Sequence, residues 1–79
     1  MEKTMEIIRG RAKSEAECAA YWAKKAQEEY GKYFMETHPN ALYTKLWRQS
    51  YTRRDILFEI LAEIENVEIS EIIMRYPVA

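Results

Sequence analysis

The sequence predicts an all-α protein, a small bundle of three to four helices built on a long antiparallel helical hairpin. Three observations support this fold class. The 79 residues include two Gly and two Pro, so few turns are available. Most of the chain consists of good helix formers such as Ala, Glu, Lys and Leu. Apolar residues recur at helical spacing, and β-branched residues never alternate over the length of a strand.

Two helices are predicted in the first half of the chain. A short helix over residues 3–12, weakened by Gly10, has Met1, Met5, Ile8 and Ala12 on one face. Ser14 and Glu17 then form an S-x-x-E capping box, which is typical of a helix start. A long amphipathic helix is therefore expected over about residues 15–36. Its apolar face consists of Ala16, Ala19, Ala20, Ala23, Ala26, Tyr30, Tyr33 and Phe34. The small alanines would let another helix approach closely, and the aromatic residues would fill space at the end of the helix.

The motif THPN, residues 37–40, predicts a turn, because Pro39 cannot continue a helix and Asn40 can cap the next one. Residues 41–66 form either one long helix or two helices that meet near residues 50–52, and we favour the break. An apolar stripe on this segment is expected to be core, or else the contact with a second copy: Leu42, Leu46, Ile56, Ile60, Ile64 and Val67. A short last helix is expected to end at Pro77.

Residues 1–79 are expected to form one domain, close to the smallest size at which a single core supports a fold. Cys18 has no partner for a disulfide and is predicted to be a buried or half-buried apolar residue. A lone cysteine without an export signal fits the cytoplasm. No segment approaches the ~20 apolar residues that span a bilayer, so we expect no membrane contact.

The sequence contains few of the residues and motifs that catalysis requires. There is one His and one Cys, and no Gly-rich loop precedes a helix. No spacing of His, Cys or carboxylate residues is typical of a metal site. We therefore expect that the protein is not an enzyme, and we predict no catalytic, cofactor-binding or metal-binding residue. His38, beside Pro39, is expected to be a helix-end residue.

Charge is distributed unevenly. Residues 1–54 hold eleven Lys or Arg against seven Glu, whereas residues 55–79 hold Arg75 against six acidic residues. A basic and aromatic segment is the candidate interface for a protein or a nucleic acid: Tyr43, Lys45, Trp47, Arg48, Tyr51, Arg53, Arg54 and Phe58. An acidic face follows it: Glu59, Glu63, Glu65 and Glu68.

Three functions are compatible with this pattern. The first is a non-enzymatic protein-binding module, a regulator or inhibitor that docks on a larger protein, with a phage or other mobile element as the hypothetical source. The second is an accessory protein that binds nucleic acid through the basic and aromatic segment. The third is an acidic mimic of nucleic acid that uses residues 55–71. A DNA-reading helix-turn-helix over residues 60–76 is disfavoured, because Glu65 falls at an apolar position and Glu68 and Glu71 would face phosphates.

We expect a protein partner, and a homodimer is compatible either with the Ala-rich face of residues 16–34 or with the isoleucine stripe of residues 56–67. Nucleic acid is the less favoured partner, because the acidic second half would repel it.

Overall fold

The computed structural model describes residues 2–76, and over these residues the chain is helical without a strand. It contains α1 (Glu2–Tyr30), α2 (Phe34–Thr37), α3 (Leu42–Glu65) and α4 (Ile69–Arg75). Met1, which we expected on the face of the first helix, and Pro77, which we expected to end the last one, lie outside the described residues. The all-α prediction is confirmed.

The first helix is continuous, so the prediction of two helices before residue 36 is wrong. Gly10 lies inside α1, and Ser14 and Glu17 occupy interior positions. A helical glycine costs about 1 kcal/mol relative to alanine. Packing on both sides of the glycine offsets that cost, because half-buried Met5 and Ile8 before it and buried Ala12 and Ala16 after it belong to the same core cluster.

α1 also ends earlier than predicted, at Tyr30. Gly31 takes a φ of 95°, a left-handed conformation that side chains other than glycine rarely adopt, and its N–H donates to the carbonyl of Gln27 at 2.9 Å. The chain then folds back into the single turn α2. This turn buries Phe34, which the sequence had placed at the end of the long helix.

α3 runs without interruption through residues 50–52, so the favoured break there is wrong. Ser and Thr can cap helices, but buried Ser50 is held inside the helix by the packing around it. The helix ends at Asn66, which has φ 56° and ψ 48°. The N–H of Val67 donates to the carbonyl of Ala62 at 3.0 Å, the 6→1 bond of a Schellman end.

α1 packs along α3, and their contacts pair residues in opposite order: Arg9 with Glu65, Glu15 with Arg53, and Trp22 with Tyr43. This order is that of two antiparallel helices. As predicted, small residues line the contact from α1, where Ala12, Ala16, Ala19 and Ala26 are buried. At 1.5 Å per residue α1 is about 43 Å long, so it spans the full 42 Å length of the molecule.

The face of α3 that meets α1 is not the apolar stripe expected to be core. Phe58 and Leu61 are fully buried in the main cluster with Ala12, Ala16 and Ile72 of α4. Leu42 and Ile56, by contrast, are 63% and 53% exposed. The expectation that the stripe is core is wrong for Leu42, Ile56, Ile60 and Ile64, whereas Leu46 and Val67 are half-buried. The face that carries Phe58 and Leu61 packs on the alanines of α1 instead.

Candidate functional site

The eight residues of the basic and aromatic segment occupy three environments. Arg54 and Phe58 are buried, and Tyr43 and Trp47 are half-buried, because this side of α3 faces α1 and α2. The remaining four are exposed: Lys45, Arg48, Tyr51 and Arg53. Whether these residues bind a partner stays a prediction, but Arg54 and Phe58 are part of the internal packing.

Arg54 is 6% exposed although it carries a full charge. Its Nη2 atom donates to Oδ1 of Asp55 at 3.0 Å, and its guanidinium lies 4.2 Å from the ring centre of Tyr51 and 5.1 Å from that of Phe58. Two rings and one carboxylate therefore hold the charge in place. Arg54 supports Tyr51 from the protein side.

Exposed Tyr51 lies against half-buried Trp47, and we call these two residues the Tyr51–Trp47 pair. Their ring centres are 5.3 Å apart, and the edge of Trp47 meets Phe34 of α2 with the centres 5.5 Å apart. Tyr51 is 39% exposed. The pair thus presents aromatic surface that is fixed by buried neighbours.

Tyr43 belongs to a second group of rings that the sequence analysis missed. It stacks on Trp22 of α1 with the centres 5.8 Å apart, and it lies 5.9 Å from Tyr30, which stacks in turn on His38. This group closes the end of the molecule near the turn. Tyr30 lies nine residues before Pro39 and Tyr43 four residues after it, so an antiparallel hairpin that turns in this region brings both rings to its closed end.

The exposed basic residues line an open groove of about 410 Å³ on the N-terminal half of α3, together with Gln49 and Thr52. We call it the basic groove. Arg48 donates to the carbonyl of Pro39 at 3.3 Å, and Arg53 approaches Glu15 of α1 at 3.8 Å with its side chain 60% exposed. Lys45 has no ion-pair partner among the described residues. The groove therefore presents positive charge to solvent.

Three of the four residues predicted to form the acidic face lie together on the surface. Glu59, Glu63 and Glu68 are exposed and line an open groove of about 670 Å³ with apolar walls that include Ile56, Ile60 and Ile69. We call it the acidic groove. It lies on the C-terminal half of the same helix that carries the basic groove.

Glu65 departs from that face and joins three helices instead. Its Oε1 accepts a hydrogen bond from Nη1 of Arg75 on α4 at 2.7 Å and lies 3.7 Å from Nη2 of Arg9 on α1. The hydrogen bond from Arg75 lowers the pKa of the Glu65 carboxyl below its ordinary value, and the charge of Arg9 adds to the shift. Glu65 is thus a structural residue, and the prediction that it belongs to the acidic face is wrong.

Part of the apolar stripe that was expected to be core is exposed and forms a second surface. Four apolar side chains of α3 are 38–63% exposed, and we call them the outer stripe: Leu42, Ile56, Ile60 and Ile64. The signal for this exposure was present in the sequence, because Lys45, Gln49 and Arg53 interrupt the same face. Cys18 is also exposed, contrary to the prediction of a buried or half-buried residue.

Among residues 2–76, no three His, Cys, Asp or Glu side chains are grouped closely enough to hold a metal ion. Within that same range, every helix is too short or too polar to cross a membrane. Comparison of the chain with protein-family models, with characterised proteins and with solved structures found no match.

Proposed function

We propose that the chain is a non-enzymatic protein-binding module, a regulator or inhibitor that docks on a larger protein through the Tyr51–Trp47 pair. The observation that carries this proposal is the exposure of Tyr51 on a support of buried and half-buried groups, Arg54 and Trp47. A phage or mobile-element origin stays a hypothesis of the sequence.

A supported aromatic pair is suited to protein recognition because its conformational entropy is already largely lost. Tyr, Trp and Arg are the residues that most often dominate the energy of protein interfaces. Binding then removes apolar ring surface from water with little further ordering.

The positive charge near the Tyr51–Trp47 pair favours a partner with an acidic surface. Arg48 is exposed one helical turn from Tyr51, and no acidic residue occurs between residues 37 and 54. The partner surface that complements this region is apolar at its centre and acidic at its rim.

Site-specific photo-crosslinking tests this proposal. A photoreactive phenylalanine at position 51 is expected to capture one partner protein in cells that express the chain, and the same group at exposed Lys13 of α1 is the matched control. With the captured protein purified, Tyr51→Ser is expected to weaken binding by tenfold or more, about the 1.4 kcal/mol or greater loss of an interface anchor. Equal capture from positions 51 and 13, or unchanged affinity of the variant, would refute the proposal.

Nucleic acid is the second candidate partner, and the basic groove is the observation that favours it. Lys45, Arg48 and Arg53 line this groove on α3, the helix that also contains Trp47. Titration with single- and double-stranded oligonucleotides at about 50 and 200 mM salt, followed by tryptophan fluorescence, distinguishes the two functions. Phosphate binding weakens by orders of magnitude between these salt concentrations when many contacts form. An absence of any spectral change at the lower salt concentration would exclude this candidate.

The acidic mimic has less support than either. Its carboxylates Glu59, Glu63 and Glu68 alternate with exposed isoleucines, whereas a surface that imitates a phosphate backbone would need a denser row of charge.

A further inference from the structure

The outer stripe leaves apolar surface on α3 without a partner inside the chain. Ile56 lies at its centre and is 53% exposed, and Leu42, Ile60 and Ile64 extend it toward both ends of the helix. Tyr51 lies about 140° around the helix from Ile56, at 100° per residue. The outer stripe is therefore a different surface from the Tyr51–Trp47 pair.

The two grooves of α3 lie on either side of Ile56 and carry opposite charge. The basic groove uses residues 45–53, and the acidic groove uses Ile56 and residues beyond it. Arg48 is eight residues before Ile56 and Glu63 is seven residues after it. At 1.5 Å per residue these side chains project at about 12 and 10.5 Å from Ile56 along the helix. Lys45 lies eleven residues before Ile56 on the same helix, and Glu68, which follows the turn at Asn66, lines the acidic groove beyond the end of α3.

A charge pattern that inverts about one point is complementary to itself when it is turned end over end. We infer that the partner of the outer stripe is a second copy of this chain, packed so that the two α3 helices are antiparallel with Ile56 beside the two-fold axis. In this arrangement Lys45 and Arg48 of each copy face Glu63 and Glu68 of the other. The opposite charges meet at both ends, and the isoleucines meet between them.

The solvent-accessible surface area of the single chain leaves room for an interface with a second copy. A folded monomer of 9.5 kDa exposes about 5,050 Å² by the usual scaling with mass, whereas this chain exposes 5,851 Å². The elongated shape, 42 by 21 by 19 Å, accounts for this extra surface and leaves room for an interface that buries about 800 Å² on each partner. The radius of gyration, 13.8 Å, also exceeds the value of about 12 Å expected for a compact chain of this length.

The small core provides a physical reason for the association. Among the described residues, four of the eight buried hydrophobic side chains are alanines, which contribute little apolar area each. Chains of this length commonly need further stabilisation from a disulfide, a bound metal or a second subunit. Isoleucines that meet across the axis would add a second layer of packing and complete a helical bundle.

Sedimentation equilibrium of the full chain between about 1 and 300 µM tests the inference. We expect a mass twice the 9.5 kDa of the chain at the upper concentrations. Ile56→Asp places two carboxylates near the axis and is expected to give a monomer throughout, with an unchanged helical circular dichroism spectrum because Ile56 is exposed in the single chain. A monomeric wild type at 300 µM, or a dimer that persists in Ile56→Asp, would overturn the inference.

Charge exchange tests the antiparallel register. The variant Lys45→Glu/Arg48→Glu is expected to dimerise at least tenfold more weakly than the wild type, and so is Glu63→Lys/Glu68→Lys, because each opposes like charges at both ends. A mixture of the two variants is expected to form a heterodimer at near wild-type affinity. If the two variants dimerise as tightly as the wild type on their own, or if the mixture gives no gain over them, the register is wrong.

Discussion

Glu65 shows how one side chain can be assigned to the wrong role when its sequence neighbours guide the interpretation. It lies among other carboxylates in sequence, yet it accepts the 2.7 Å hydrogen bond from Arg75 and lies near Arg9. The folded-state pKa of its carboxyl is lowered from the ordinary value of 4.5. The ionised form therefore stabilises the contact of α4 with α1 and α3.

The lowered pKa predicts how Glu65 affects stability at different pH values. The stabilisation is fully present above the unfolded-state pKa near 4.5, and it is lost as the pH falls through the lower folded-state value. We expect Glu65→Gln to unfold at a lower urea concentration than the wild type at pH 7, and this difference should shrink below pH 4. Urea titrations at pH 7, 5 and 3 measure it.

Glu59→Gln is the control for that series, since Glu59 is exposed and has no ion pair among the described residues. Its midpoint should stay close to that of the wild type at all three pH values. A Glu65→Gln deficit that does not change with pH would show that the amide removes packing rather than charge.

Arg54 and Phe58 illustrate a second limit at the residue scale. Composition marked both as candidate interface residues, because Arg and aromatic side chains are common in interfaces and in small cores alike. The structure buries both: Phe58 stacks on Tyr76 with the ring centres 5.5 Å apart, and Arg54 caps the ring of Phe58. Segment composition cannot separate these roles, since it does not state which face of the helix meets α1.

At the scale of the helices, boundaries were harder to predict than helical character. The capping box at Ser14 and the break near residues 50–52 are local preferences worth about 1 kcal/mol each. The contacts between α1 and α3 outweigh them along both helices. The turn at Pro39 was predicted correctly, because no tertiary contact restores the hydrogen bond that proline lacks.

The two glycines are expected to respond in opposite directions to substitution by alanine. Gly10 has helical geometry and open space where a Cβ would lie, so Gly10→Ala should stabilise the protein by about 0.5–1 kcal/mol. Gly31 has a φ of +95°, so Gly31→Ala should destabilise it by about 1–2 kcal/mol. Thermal unfolding of both variants measures the difference. Stabilisation by both substitutions would mean that α1 can continue past residue 31, as the sequence alone predicted.

At the scale of the whole molecule, the inferred dimer makes stability depend on concentration. Unfolding of a dimer to two chains is favoured by dilution. For a chain of this length, the thermal midpoint of the wild type should rise by about 2–5 °C for each tenfold increase in concentration. Differential scanning calorimetry between about 10 and 1,000 µM measures this slope.

The monomeric variant Ile56→Asp provides the reference for that experiment, and its midpoint should not depend on concentration. A wild-type midpoint that is equally independent of concentration would contradict the dimer. Such a result would leave the Tyr51–Trp47 pair untouched, because that surface lies on another side of α3.

The sequence by itself determined the all-α class, the turn at Pro39 and the alanine-lined face of α1, since these depend on backbone chemistry and on periodicity within one segment. The tertiary structure decided which face of α3 is core. Two faces of that helix are apolar enough to be buried, one aromatic and one aliphatic, and α1 can cover one of them. α1 covers the face that carries Phe58 and Leu61, which pack with Ala12 and Ala16 in the main cluster. The isoleucines remain exposed on the other face of α3, together with the basic residues before Ile56 and the acidic residues after it.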